Sequence, residues 1–129
     1  MNLLIKILLV ATGGATGSII RYLLESHFKG NDGTITWLIN TLGSFLMGLF
    51  FGLILTAGDE SSKKTLVQTL LMSGFCGGFS TFAHFAMYTV NNINQGNANM
   101  AIIYTLVTIV AGLGCCAFGL WLGTRMIGA

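Results

Sequence analysis

Polar residues gather in three places along the chain, and apolar residues fill the intervals between them. ESHFKGNDG (25–33) and AGDESSKK (57–64) carry charge, whereas NNINQGNAN (91–99) is uncharged but dense in asparagine. The apolar intervals lie near 3–24, 35–56, 66–90 and 100–124. A helix needs about 20 residues to cross a hydrocarbon core about 30 Å thick, and each interval is long enough. The pattern predicts an all-α membrane protein: four transmembrane helices in one domain over 1–129, with both termini on the same side.

Composition agrees. Only 8% of the 129 residues are charged, against about 25% in soluble domains. No Asp, Glu, Lys or Arg occurs between Lys64 and Arg125, so that stretch needs a solvent as apolar as itself. The net charge of +2 is too small to suggest a nucleic-acid partner. Proline is absent, and glycine, at 18 residues, is abundant as transmembrane packing requires. Gly13 and Gly17, Gly48 and Gly52, and Gly119 and Gly123 are spaced for close helix contact. Cys76, Cys115 and Cys116 fit no zinc spacing and read as small membrane-core residues.

Two look-alikes are set aside. MNLLIKILLVATGGATG resembles a secretory leader, but its apolar run continues to Leu24 and reads as the first span. TGGATGS (12–18) lacks the lysine of a phosphate loop and follows no soluble strand.

Orientation is weakly specified. Lys6, Lys63, Lys64 and Arg125 fall on the terminal side, Arg21 and Lys29 on the other. Four against two is a small positive-inside bias. It suits a chain that inserts both ways and pairs as an antiparallel dimer, and equally a single, weakly set orientation.

The candidate chemistry is neutral. No Asp or Glu lies inside the four intervals, which counts against a proton-coupled cation exporter. No nucleophile and base with an orienting carboxylate can be assembled, so the chain reads as no enzyme. What remains is Asn40 in the second span, Ser80, Thr81 and His84 in the third, and Tyr104 and Thr108 four apart in the fourth. These groups can donate hydrogen bonds to an anion without a fixed charge, which suits binding weak enough for conduction. Taken singly, each reads as an interhelical hydrogen-bonding group. Arg21, near the end of the first span, either anchors that helix or draws anions into a vestibule.

CGGFSTFAHF (76–85) is the unusual stretch. Each helical glycine costs about 1 kcal/mol relative to alanine, so Gly77-Gly78 before Ser80 and Thr81 predicts a local unwinding. Unwound backbone at membrane depth persists only when buried in protein or lining a cavity, and its carbonyls can hold a cation. Phe82 and Phe85 share a helical face, and the positive edge of an aromatic ring can meet an anion. By themselves they read as lipid or core packing.

Together these segments resemble the fluoride channel family, Fluc, also called CrcB or camphor-resistance proteins. GGATGSIIRY (13–22) is similar to the family's glycine-rich first helix, and TWLINTLGSFLMG (36–48) to its second helix around an asparagine. The specific match is GFCGGFSTFAHF (74–85), which resembles G-F-x-G-G-[LF]-[ST]-T-F-S-T-F. The resemblance covers nearly the whole chain. It implies a dual-topology antiparallel homodimer in the cell (inner) membrane, passively exporting fluoride through two pores around a central structural sodium ion. By position it implies that Gly77 and Ser80 offer backbone carbonyls to sodium. It places Phe82, Phe85, Asn40, Tyr104 and Thr108, with the polar track Ser80, Thr81 and His84, along the fluoride pore, and Arg21 near the vestibule. Ala83 and His84 depart from the family's serine and threonine. Tyr88 stands where relatives often carry a glutamate, Ile35 stands where a glycine is usual, and an upstream proline is missing. His84 reads either as a packing histidine or as a residue that tunes conduction with pH. The alternatives to a fluoride channel are a four-helix dual-topology multidrug or cation transporter and a non-transporting membrane assembly subunit.

Overall fold

The computed structural model describes residues 2–28, 33–56 and 61–128. Lys29, Asp32, Asp59 and Glu60, which belong to the expected charged loops, lie outside them. The described residues are helical, without strands. α1 spans Leu3–His27, α2 spans Thr34–Thr56 and α6 spans Ala98–Gly128. The third span is composite: α3 (Ser61–Leu66), a wide-turned π-helical stretch (Val67–Cys76), α4 (Gly77–Phe79) and α5 (Phe82–Asn94). Four helical stretches are long and apolar enough to cross a membrane: Leu3–His27, Thr34–Thr56, Ser62–Asn94 and Ala98–Met126. The chain is a multi-pass membrane protein.

Local chemistry sets the ends. The Asn2 side chain caps α1 by accepting the Ile5 amide at 2.9 Å, one of the donors that an α-helix leaves unpaired at its start. Gly33, at φ 76°, turns the chain into α2, and its carbonyl accepts the Trp37 amide at 3.0 Å. Gly96, at φ 83°, closes α5, its amide donating to the Ile93 carbonyl. Both adopt a left-handed conformation that a side chain disfavours.

The helices meet through glycine. A Cβ on Gly48 would fall on the Cys116 carbonyl, and one on Gly119 would fall on the Phe45 carbonyl. α2 and α6 therefore run backbone against backbone, with Gly52 and Gly123 repeating the contact one turn on. Gly13 and Gly17 do the same for α1, against Leu70, Phe75 and Phe79 of the third span. In lipid no hydrophobic force drives apolar helices together, so this close packing supplies the attraction. Interior burial is slight: Ile39, Ile54, Cys76, Phe79, Ala101 and Tyr104 make up the buried apolar core among the described residues.

The third span breaks, but not at the glycine pair. Gly77 is helical, at φ −63° and ψ −37°, and helix continues to Phe79. The extended residues are Ser80 (φ −79°, ψ 155°) and Thr81 (φ −145°, ψ 111°). Gly78 serves packing instead: a Cβ there would lie 2.5 Å from the Gly14 carbonyl oxygen and 2.9 Å from Ser18 Oγ. The β-branched Thr81 takes an extended backbone readily.

Candidate functional site

The break is held from the neighbouring helix. Asn40 Nδ2 donates to the Thr81 carbonyl at 2.9 Å, and Asn40 Oδ1 accepts the Thr81 amide at 2.6 Å. The Thr81 hydroxyl then caps α5 by accepting the His84 amide at 3.2 Å. These bonds redirect two amides. In an unbroken helix the Thr81 amide would reach the Gly77 carbonyl and the His84 amide would reach the Ser80 carbonyl. Both amides point elsewhere, so both carbonyls lose their regular helical donors. Carbonyl oxygens freed in this way suit a hard cation such as sodium. Among the described residues no group of three or more His, Cys, Asp or Glu is placed to hold a metal ion.

Beside the break lies a half-open cavity of about 360 Å³. Asn40, Ser80, Thr81, Phe82, Phe85 and Thr108 line it. The sequence placed these six on three spans, and the fold brings them to one wall. Ser44, Thr105 and Ile109 complete the lining, and no charged side chain belongs to it. Most of its hydroxyls are engaged: Ser80 Oγ donates to the Cys76 carbonyl at 2.8 Å, Ser44 Oγ to the Asn40 carbonyl at 2.8 Å, and Thr105 Oγ1 to the Ala101 carbonyl at 2.8 Å. The Thr108 hydroxyl is buried with no protein partner. The Phe82 and Phe85 rings lie 5.5 Å apart at 54°, and Phe82 is 78% exposed.

Three other expected site residues, Tyr104 and His84 of the pore and Arg21 of the vestibule, lie outside this lining. Tyr104 is buried behind the cavity: its hydroxyl donates to the Gly33 carbonyl at 2.9 Å, and its ring packs on Phe85 and Tyr88. His84 lines a second hollow of about 520 Å³ with Tyr88, Asn91 and Gln95. Its Nδ1 lies 2.7 Å from Glu25 Oε1, at the end of α1. Arg21 links the same group, with Nη1 3.5 Å from Glu25 Oε2 and Nε donating to the Gly78 carbonyl at 3.2 Å.

Sequence reasoning missed Ser44, Thr105 and Glu25. Ser44 is one turn beyond Asn40, a usable signal. Thr105 lies three residues before Thr108, as good a helical spacing as the four that picked out Tyr104; only the rotation of α6 selects between them. Glu25 reads as a loop residue until α1 is seen to run to His27.

Fold and cavity together define a small integral membrane protein of four spans, with a neutral polar cavity beside a broken helix. Residues 8–120 match the model of the family described as CrcB-like protein, Camphor Resistance (CrcB), and the chain belongs to that family. It is 38% identical over 133 residues to the fluoride-specific ion channel FluC of Leptospira interrogans (serovar copenhageni), covering 95% of this chain and 97% of the relative. It is 33% identical to fluoride-specific ion channel FluC 2 of Bacillus subtilis, over 92% of this chain and 88% of that one. A FluC from Gloeothece citriformis is 32% identical over 95% and 99% of the two chains.

Proposed function

We propose that this chain is a passive, fluoride-selective ion channel that relieves fluoride toxicity, and not an enzyme. The observation that carries the reading is the cavity at the break, whose lining offers an amide, hydroxyls and phenyl rings but no charge, in a chain whose relatives are named fluoride-specific channels. Fluoride is small and strongly hydrated, so stripping its water is costly unless other donors replace it. The Thr108 hydroxyl, without a protein partner, is one such donor. The face of Phe85 is taken by Tyr104, their rings stacking at 5.7 Å, which leaves its positive edge for an anion. Without a cation in the lining, the ion is held loosely enough to leave. Hydrogen fluoride is a weak acid that enters cells neutral and dissociates there. An anion pore lets the trapped ion leave down the membrane potential without ATP or a coupled proton.

The working unit in this reading is an antiparallel homodimer in the cell membrane. A cavity open on one side, flanked by a phenylalanine as exposed as Phe82, needs a second wall, and a second copy supplies it. The freed carbonyls of Gly77 and Ser80 fit a sodium ion at the centre of that dimer, where it would fix two broken helices against each other. A multidrug transporter would want a carboxylate in the cavity, and the lining has none.

Purified protein in liposomes, followed with fluoride and chloride electrodes, tests the channel. Rapid fluoride efflux with negligible chloride efflux is expected, slowing when sodium is withheld during purification and reconstitution. Fluoride efflux no faster than from protein-free vesicles overturns the reading.

A further inference from the structure

We infer that Arg21, Glu25 and His84 form a proton-responsive charge cluster that speeds anion conduction in acid. The inference rests on the channel reading above. The three groups sit on two helices: Glu25 Oε1 is 2.7 Å from His84 Nδ1, and Glu25 Oε2 is 3.5 Å from Arg21 Nη1. Glu25 thus divides one negative charge between a permanent cation and an imidazole that is charged only when protonated. With His84 neutral the cluster sums to zero. With His84 protonated it sums to +1.

Among the described residues of the hollow that His84 lines there is no carboxylate. From α1, Glu25 meets His84 and Arg21 meets Glu25, and His27 is the other titratable group of that helix end. From α2 the shared hollow receives Gly33, Ile35 and Thr36, none of them titratable. On α5 itself the titratable neighbour is Tyr88, one turn on, and α6 brings Tyr104 against Tyr88.

The position gives the charge its effect. α5 separates the two hollows, with Phe82 and Phe85 lining one and His84 and Tyr88 the other. The added charge therefore lies about a helix diameter, roughly 10 Å, from the cavity that lacks cations. The His84 side chain is 48% exposed, so salt screens part of this field. Positive potential at such a site raises the local anion concentration. A second route runs through α1: once the imidazolium shares Glu25, Arg21 is held less firmly by it, and Arg21 is the residue that also grips the Gly78 carbonyl just before the break. Acid is the condition in which hydrogen fluoride enters cells fastest, so the response has the useful sign.

The test is fluoride efflux from liposomes held at the same pH inside and out, at pH 6 and at pH 8, after subtracting leak from protein-free vesicles. Wild type is expected to run roughly two- to fivefold faster at pH 6. In His84→Gln, which keeps a hydrogen-bonding side chain but cannot titrate, the ratio of the two rates falls to about 1. Glu25→Gln reads the same contact from the other helix: it removes the carboxylate shared by His84 Nδ1 and Arg21 Nη1 and is expected to change that ratio from the wild-type value. Equal wild-type rates at the two pH values overturn this inference while leaving the channel reading intact. An unchanged ratio in a folded His84→Gln also overturns it. Absence of efflux at both pH values condemns the channel reading first.

Discussion

Asn40 and Thr81 exchange a pair of hydrogen bonds, amide to carbonyl at 2.9 Å and amide to side-chain oxygen at 2.6 Å. One primary amide therefore replaces both the donor and the acceptor that a helix would have given the Thr81 peptide groups. That substitution lets the third span be non-helical at membrane depth, where unpaired backbone costs several kcal/mol.

Asn40→Ala leaves both Thr81 groups without their partner and is expected to destabilise the protein by about 1–3 kcal/mol. Asn40→Asp keeps an acceptor for the amide but sets a carboxylate oxygen against the Thr81 carbonyl, and should be worse. Thermal unfolding in detergent, followed by tryptophan fluorescence, ranks the variants. An alanine variant as stable as wild type would remove Asn40 from its clamping role.

Gly13 and Gly14 are adjacent in α1 and chemically identical, yet they face differently. A Cβ on Gly13 collides with the Leu70 carbonyl, whereas one on Gly14 comes no closer than 3.8 Å to the Gly74 carbonyl. Gly13→Ala should force the helices apart, costing about 1–3 kcal/mol as overpacking does, with lower yield of folded protein. Gly14→Ala should be neutral or gain up to about 1 kcal/mol from helix propensity. Size-exclusion profiles and unfolding midpoints of the two variants make the comparison.

Thr108 carries a buried hydroxyl without a protein partner at the cavity wall. Thr108→Val removes it at nearly constant shape. Stability should hold or rise, because an unsatisfied polar group costs about 1–3 kcal/mol, while fluoride efflux falls. A drop in both together would mean that the hydroxyl supports the fold rather than the ion.

Tyr104→Phe removes the bond to the Gly33 carbonyl and keeps the ring stack on Phe85. The expected cost is about 1 kcal/mol of stability, because the carbonyl retains the Trp37 amide. Efflux should fall less than in Thr108→Val, since the Tyr104 hydroxyl donates away from the cavity. The reverse order of efflux rates would put Tyr104 in the ion's path.

Much of the architecture was legible in the chain. The first and fourth apolar runs, near 3–24 and 100–124, become Leu3–His27 and Ala98–Met126, because hydropathy reports directly on which residues lipid will accept. Paired small residues four apart marked helix contacts for the same direct reason: only glycine lets backbones approach so closely. The break was legible in its region but not in its residue. Glycine permits unwinding without requiring it, and Gly78 instead packs closely on α1, where its carbonyl accepts from Ser18 Oγ and Arg21 Nε, contacts that no local pattern announces.

The site divides along the same line. Residue types placed neutral donors and phenylalanines at membrane depth, and only the family resemblance implied that they line one path. Which donors meet was decided by how each helix is rotated about its own axis. Periodicity fixes only relative positions on one helix, so Thr105 and Tyr104 were equally good companions for Thr108 until glycine contacts with α2 set the angle of α6. Glu25 and His84, 59 residues apart in the chain and 2.7 Å apart in the fold, belong wholly to that second kind of information. Helix packing, not sequence order, makes them neighbours.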